Sequence, residues 1–481
     1  MNPVLLACLI FFGYMALIVL IGELLHKFLK WSPDIIRKIE HILTAPVWLI
    51  MYLTIGLCVE TIIISLVGTA LLAFITFTPF FKSTTRSDSK ISIGVFYFGI
   101  SCVVITALCF WLAPDNYPLV GIVYFTLSLA DGFAPLVARL LKKHNPMIRE
   151  GKSLIGCLTV FIVSFLVILT FNLIFKMQFT ILFMFAYAAI ITGAEYFGYK
   201  GLDNITIVLC GFGLLLLNSF GLSNMALEIG SLLLPIFIIA NAFSRSLTDF
   251  AILMATIFAL VVSFCSGMVA LVTVLSCFFI NAIANKVIKK IRHDKNKSKG
   301  RNAWQIFTNA FPTMVLCIIG YITKNQIFTV AAMIVVVEEF ADSMASDIGR
   351  YCPNKPIDII RFKVIDAGLS GGVSWLGTII GLAACFAGLS ISLAYGSITP
   401  LPLVFTSLIA IFGVIIDSIL GSLLQVKYRC PVCGRIVDRK EHCDTIAEKA
   451  SGISFITNPV VNLMTGIILS GISLIFLFFV I

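Results

Sequence analysis

The sequence predicts an all-α integral membrane protein with about sixteen transmembrane helices in two helical domains. Of its 481 residues, 59% are hydrophobic and only 12% are charged, and the mean hydropathy is +1.05. So few polar side chains could not cover a water-soluble globule of this size. Because a hydrocarbon core about 30 Å thick needs roughly 20 apolar helical residues to cross it, we expect the long apolar runs to span a membrane.

Sixteen runs are apolar enough to be spans. They lie near residues 2–22, 41–57, 59–81, 91–112, 118–141, 153–175, 178–197, 204–219, 226–243, 250–265, 267–288, 303–322, 327–342, 371–394, 402–424 and 457–480. The first has no basic segment before it and no small-residue cleavage motif, so we interpret it as a retained helix. The apolar stretch 41–81 is divided near Glu60, because a single helix there would move Lys82, Arg86 and Lys90 to the other side of the membrane.

The basic residues indicate the orientation. If Met1 is outside and every span crosses, 32 of the 34 Lys and Arg residues face inward, and the outward turns keep only Lys176 and Lys324. Cytoplasmic loops carry such an excess of basic residues. We therefore interpret the formal net charge of +10 as orientation and contact with anionic lipid, not as nucleic-acid binding.

Carboxylates inside or at the ends of spans mark candidate sites, because an ionisable side chain there costs about 2.5–3.5 kcal/mol or more and is usually functional. The first half has Asp131 and Glu195, and the second half has Glu338, Glu339, Asp342, Asp347 and Asp417. An ordinary helix-end carboxylate is the alternative for each acid taken singly. Their grouping toward the inner side favours a site in each half.

Basic and glycine-containing segments accompany these acids. Lys152 and Ser153 begin one span, where free N–H groups and the helix dipole favour a phosphate. A similar segment at 361–377 contains Arg361, Lys363, Gly371, Gly372 and Ser374. An ordinary helix cap is the alternative for both. Carboxylates that bind Mg²⁺ beside cationic helix starts are what phosphoryl transfer from a nucleotide requires.

Residues 1–240 resemble the phytol kinase and dolichol kinase family of CTP-dependent lipid-alcohol kinases. The matching motifs are RKIEH with Arg37 and Lys38, LADGFA with Asp131, GKSLIG with Lys152 and Ser153, and the pair Glu195 and GLDN with Asp203. The resemblance implies a prenyl alcohol as substrate, CTP as phosphoryl donor and Mg²⁺ as metal. It assigns Asp131 as catalytic, Glu195 and Asp203 as further metal or base ligands, and Arg37, Lys38, Lys152 and Ser153 as nucleotide-binding.

Residues 241–481 resemble the phytyl-phosphate kinase family, which adds the second phosphate to a prenyl monophosphate. The matching segments are SRSLTDF, GRNAWQIFTNA with Arg301, FADSMASDIG with Asp342 and Asp347, GLSGGVSWLGT with Gly371, Gly372 and Ser374, DSILGSLLQ with Asp417, and VVN. The resemblance implies that Asp342, Asp347 and Asp417 hold Mg²⁺, with Asp342 and Asp417 catalytic. Arg301, Arg361 and Lys363 would offset the phosphate charge. Together the two resemblances imply a fusion that converts a prenol to its monophosphate and then to its diphosphate.

A separate motif at residues 430–443 has metal-ligand spacing. Cys430 and Cys433 form a C-x2-C pair, and His442 and Cys443 follow nine residues later. These four ligands predict a structural zinc site, and an unmetallated basic loop is the alternative.

Two other functions stay open. A transporter would share the many spans, but its polar residues would be distributed through the membrane depth instead of grouping toward the inner side. A cytidylyltransferase that makes a CDP-linked lipid from CTP would use the same metal and phosphate groups, so only its product separates it from a kinase.

Overall fold

The computed structural model describes residues 2–77, 93–141, 145–149, 151–198, 201–244, 247–291, 301–394 and 400–480. It divides into two compact units, Met1–Ser244 and Arg245–Ile481. The basic loop 82–90 and most of the basic loop 286–301 lie outside the described residues.

The first unit consists of helices and one short hairpin. Its helices are α1 (Pro3–Leu29), α2 (Pro33–Leu43), α3 (Pro46–Thr54), α4 (Val59–Phe77), α5 (Ile93–Leu112), α6 (Pro118–Leu140), α7 (Leu154–Phe175), α8 (Ile181–Phe197), α9 (Asp203–Ser219) and α10 (Met225–Ser244). Four of them begin with proline, whose missing N–H costs nothing in the first turn of a helix. Strands β1 (Met147–Arg149) and β2 (Lys152–Ser153) form an antiparallel hairpin directly before α7.

The predicted single helix at 41–57 is wrong. The structure has α2 and α3 there instead, separated at Thr44 and Ala45. The N–H of Thr44 still bonds to the carbonyls of Glu40 and His41, but Pro46 has no N–H with which to continue the hydrogen-bond ladder. The nine residues of α3 rise only about 14 Å, which is too short to cross a hydrocarbon core.

The second unit is built around one central helix. Its helices are α11 (Asp249–Ile291), α12 (Ala303–Thr323), α13 (Gln326–Gly349), α14 (Trp375–Ala394), α15 (Pro400–Leu423) and α16 (Asn458–Val480). Helix α13 packs against the other five, and every residue from Ala331 to Val337 is buried. Helix α11 is interrupted at Gly267, whose φ of 74° and ψ of −161° separate the two predicted spans at 250–265 and 267–288.

Short strands in the second unit were not predicted. Strands β3 (Ile357–Asp358) and β4 (Gly372–Val373) pair antiparallel before α14. Between α15 and α16 lie β5 (Lys427–Arg429), β6 (Ile436–Val437), β7 (Glu441–His442), β8 (Thr445–Ile446) and β9 (Glu448–Ser451). We call residues 427–451 the β-module. Because Gly372 and Val373 are extended, α14 begins at Trp375 and not at residue 371 as predicted.

Seven helices in the described ranges are long and apolar enough to cross a membrane. They contain the segments Pro3–Leu29, Pro118–Leu140, Leu154–Phe175, Asp249–Ile288, Ala303–Thr323, Leu403–Leu423 and Asn458–Phe479. Six shorter apolar helices accompany them. Helix α13 is not among the seven, and its sequence carries four carboxylates.

Candidate active site

Asp131 in α6 is held by two basic side chains of α2. The Nζ of Lys38 donates to Oδ1 and Oδ2 of Asp131, each at 2.8 Å, and to its main-chain oxygen at 3.2 Å. The Nε2 of His41 lies 3.3 Å from Oδ2 of Asp131 and 3.1 Å from the oxygen of Leu127. Lys38 and His41 share one face of α2 because they are three residues apart.

Gly132 allows α2 to approach α6 this closely. A Cβ atom at residue 132 would come within 2.4 Å of the Ile42 side chain and 3.4 Å of the Lys38 carbonyl. Any side chain at this position would therefore move α2 and withdraw its basic residues from Asp131.

A second basic residue, Lys152, contacts two more carboxylates. Its Nζ donates to Oε1 of Glu195 at 2.5 Å and lies 3.6 Å from Oδ2 of Asp203. Lys152 follows Gly151, whose φ of 74° forms the hairpin turn, while Glu195 lies near the end of α8 and Asp203 begins α9. Burial opposes the charged form of Lys152, but Glu195 and Asp203 outweigh this and raise its pKa above 10.5. Lys152 is therefore a cation at neutral pH.

Asp131, Glu195 and Asp203, which the resemblance to the lipid-alcohol kinases assigns to one site, lie together in the structure. One carboxylate oxygen from each lies within 4.8 Å of the others. The Oε2 atom of Glu195 is buried and has no hydrogen-bond partner among the described residues. Because Mg²⁺ prefers carboxylate oxygens, three oxygens at this separation, one of them unsatisfied, fit a divalent cation. We call these carboxylates with Lys38, His41 and Lys152 the Asp131 cluster.

Two predicted nucleotide-binding residues have other contacts. The Oγ of Ser153 accepts the Gly156 N–H at 3.2 Å and the Asn145 Nδ2 at 2.9 Å, so it caps α7. Arg37 forms an ion pair with Asp34 of its own helix at 3.9 Å. Ser153 therefore fixes the position of Lys152, and Arg37 pairs with a residue of its own helix.

The second unit gathers its acids on α13 and α15. Four carboxylates lie close enough to repel one another, those of Glu338, Glu339, Asp342 and Asp417. Arg301 attracts the carboxylates of Glu339 and Asp342. Three polar groups from neighbouring helices complete this region: Asn309 donates to Glu339, Asn462 donates to Asn309 at 3.4 Å, and Thr465 donates to Asp417 at 3.2 Å.

The predicted residues of the second site are not all brought together. Asp347 is bonded to Asn285 at 2.7 Å and pairs with Arg350. Of the described carboxylates, only Asp131, Glu195 and Asp203 bring three oxygens within 4.8 Å of one another, so Asp342, Asp347 and Asp417 form no comparable triad.

The predicted phosphate-binding segment contains the expected glycine turn and a serine at the start of a helix. Arg361 and Lys363 are exposed between β3 and β4, Gly371 has a φ of 83°, and Gly372 lies in β4. Ser374 accepts the Gly377 N–H at 3.1 Å and so caps α14. The cap places the start of α14 beside Gly349 at the end of α13.

A buried polar network, which was not predicted from the sequence, lies beneath this loop. Asp358, 1% exposed, accepts the N–H groups of Ile360 and Arg361 and the hydroxyl of Ser422 at 2.8–3.0 Å. These hydrogen bonds outweigh burial and lower its pKa. Lys427 is also buried and donates to the Ser370 carbonyl at 2.9 Å. Asp358 and Lys427 lay in the predicted loops 350–363 and 427–449, where charged residues are usually solvated, so neither gave a signal.

The Cys/His residues at 430–443 do come together. The ligand atoms of Cys430, Cys433, His442 and Cys443 all lie within 4.8 Å of one another. They form the second of the two metal-ligand groups found in the described part of the chain.

The chain is similar to one family of membrane proteins and to one characterised enzyme. Residues 232–470 match the family described as integral membrane protein DUF92. With its seven long apolar helices, the chain is therefore a multi-pass membrane protein. It is also 29% identical over 219 residues to the phytol kinase of Synechocystis sp. (strain ATCC 27184 / PCC 6803 / Kazusa). The aligned residues cover 43% of this chain and 91% of that relative. No solved structure matches it.

Proposed function

We propose that the first unit phosphorylates a prenyl alcohol, with CTP as the phosphoryl donor. The observation that carries this proposal is the Asp131 cluster, in which three carboxylates and two lysines from α2, α6, β2, α8 and α9 converge. Carboxylates for a metal and fixed cations for phosphate oxygens are what phosphoryl transfer needs from a protein. The similarity to a phytol kinase supports the same reaction class.

The residues of the cluster divide by chemistry. Asp131, Glu195 and Asp203 would hold Mg²⁺, which when bound neutralises phosphate charge. Lys38 and Lys152 already pair with these carboxylates and would stabilise the negative charge of the transferring phosphoryl group. An alcohol also needs help to lose its proton, and Asp131 is the group that could accept it. The Nε2 of His41 faces the oxygens of Leu127 and Asp131, so it carries a proton and would orient the Asp131 carboxylate.

We further propose that the second unit adds a phosphate to the resulting prenyl monophosphate. Its acceptor is already an anion, so a general base is not needed and charge compensation is the main requirement. Asp342 and Asp417 would hold Mg²⁺, and Arg301, which interacts electrostatically with Asp342, would offset phosphate charge. Arg361 and Lys363, which are exposed, would also offset phosphate charge.

Both sites would face the cytoplasm. The count of 32 inward basic residues assumed that residues 41–57 cross the membrane, which α3 is too short to do. The basic loops 138–152, 350–363 and 427–449, which adjoin the two groups of carboxylates, still support this orientation, and CTP is available on that side. The prenyl chain would remain in the bilayer, and its hydroxyl group would reach the interface.

The test uses purified full-length protein with phytol, geranylgeraniol or a longer polyprenol and γ-labelled CTP. We expect label in the prenyl monophosphate first and then in the diphosphate. A CDP-linked lipid as the product would replace the kinase by a cytidylyltransferase. Labelled lipid absent for every prenol, with well-folded protein, would refute the proposal.

A further inference from the structure

The β-module is a small domain with four convergent metal ligands. Cys430 and Cys433 lie in a tight turn after β5, in which the Gly434 N–H bonds to the Cys430 carbonyl at 2.9 Å and the Cys430 N–H bonds to the Arg435 carbonyl at 2.9 Å. Gly434 has a φ of 69°, a conformation that glycine adopts without a steric cost. This turn brings the first two thiols toward the same point.

The adjacent residues His442 and Cys443 also point toward it. Neighbouring side chains in an extended strand face opposite ways, so such a pair would ordinarily diverge. Here Cys443 and Asp444 have φ values of 51° and 56°, which turn the chain between β7 and β8. Two consecutive non-glycine residues in the left-handed region are uncommon. This conformation returns the Cys443 thiol to within 3.2 Å of the His442 Nδ1.

The distances fit a tetrahedral ion. With metal–sulfur bonds of about 2.3 Å and metal–nitrogen bonds of about 2.0–2.1 Å, a sulfur and a nitrogen ligand are separated by about 3.6 Å. The Cys433 Sγ lies 3.5 Å from the His442 Nδ1, and all four ligand atoms lie within 4.8 Å of one another. We propose that Cys430, Cys433, His442 and Cys443 bind one structural zinc ion through three sulfurs and the Nδ1 of His442.

The β-module has little else to stabilise it. Its strands have two to four residues, and its buried residues are Lys427, Cys430 and Ala447, whereas most side chains from 431 to 450 are exposed or partly exposed. Strands this short with so small a core usually require a metal or a disulfide. All four coordination positions are protein ligands, which is typical of a structural site and not of a catalytic one.

The zinc would fix more than the β-module itself. Asp438, between the two ligand pairs, accepts the Ser370 N–H at 2.9 Å and the Ser370 hydroxyl at 2.7 Å. Lys427 donates to the Ser370 carbonyl at 2.9 Å. The next residue, Gly371, lies so close to Ser422 that a Cβ would come within 2.6 Å of it. The β-module therefore holds the loop that leads into α14. These contacts hold the loop whichever reaction the second unit catalyses.

The metal is tested by elemental analysis of the full-length protein in detergent. We expect about one zinc per chain, lost in the Cys430→Ser, Cys433→Ser double variant and retained in the control Cys352→Ser, a loop cysteine outside the cluster. Should the double variant not fold, His442→Cys, which leaves four thiol ligands, must still bind one metal. Cobalt substitution of the wild type should give the absorption of a tetrahedral thiolate site. Folded wild-type protein without zinc and without that cobalt spectrum overturns the proposal, as does iron as the bound metal.

The contact with the loop is tested separately by hydrogen exchange. Asp438→Ala should keep the zinc but expose the Ser370 amide, whose exchange should accelerate at least tenfold. Glu448→Ala, which removes an exposed carboxylate from the same module, is the control and should leave Ser370 unchanged. Unchanged exchange in Asp438→Ala would refute the role of the module in holding the loop.

Discussion

Replacing Asp131 by Asn should abolish monophosphate formation and destabilise the first unit. The Asp131 side chain is 7% exposed and accepts two charge-assisted hydrogen bonds of 2.8 Å from Lys38, itself 20% exposed. Breaking a buried ion pair by removing one partner costs about 3–5 kcal/mol, and Asn, which keeps one acceptor oxygen, should fall at about the lower end. Loss of a metal ligand or a charge-stabilising group should lower the rate by about 10²–10³, or roughly 3–4 kcal/mol.

The two effects are separated by a second substitution. Lys38→Met added to Asp131→Asn removes the uncompensated ammonium, so the unfolding midpoint should recover while the rate of labelled monophosphate formation stays low. Asp115→Asn, at an exposed position of the same unit, should leave both quantities unchanged. If the single variant folds and loses less than about threefold in rate, Asp131 is not part of the reaction centre.

Three further outcomes are expected. Asp342→Asn should block the second step so that monophosphate accumulates from prenol, with exposed Asp366→Asn as control; loss of both steps would indicate one composite site. Asp358→Ala should lower the stability of the second unit by about 2–3 kcal/mol, because it leaves buried donors unpaired. The pKa of Asp358 is lowered below 3.8, so its carboxylate stabilises the fold at pH values above 3.8. This stabilisation is lost only as the pH falls through the lowered pKa. Unfolding midpoints of variant and wild type that already converge at about pH 6 would contradict this prediction. Lys449→Cys should react with a membrane-impermeant thiol reagent from the cytoplasmic side alone, and labelling from outside would reverse the topology.

Much of the first site could be predicted from residue types. A carboxylate in an apolar run is costly, so Asp131 and Glu195 stood out without any structure. Asp203 lies one position before the predicted span 204–219 and was assigned only through the resemblance to the lipid-alcohol kinases. Ser153 was also recognisable as the residue before a helix, although its hydroxyl serves as a cap.

Long-range packing explains what the sequence did not reveal. Lys38 and Asp131 are 93 residues apart, and only the close approach of α2 to Gly132 brings His41 to the same carboxylate. The Asp358 network depends on a loop folding over α15, which no local periodicity encodes. The break between α2 and α3 could have been found from Pro46, since a proline at the start of a helix is a recognised signal.

The transfer of a phosphoryl group by the Asp131 cluster is the central claim, and a paired label experiment tests it most directly. Full-length protein is incubated with phytol and Mg²⁺ and either γ-labelled or α-labelled CTP, alongside the Asp131→Asn variant. The proposed reaction predicts that only the γ-label enters lipid, as prenyl monophosphate, and that the variant is slower by about 10²–10³. Transfer of the α-label to lipid, or γ-label transfer that is equally fast in the variant, would contradict it.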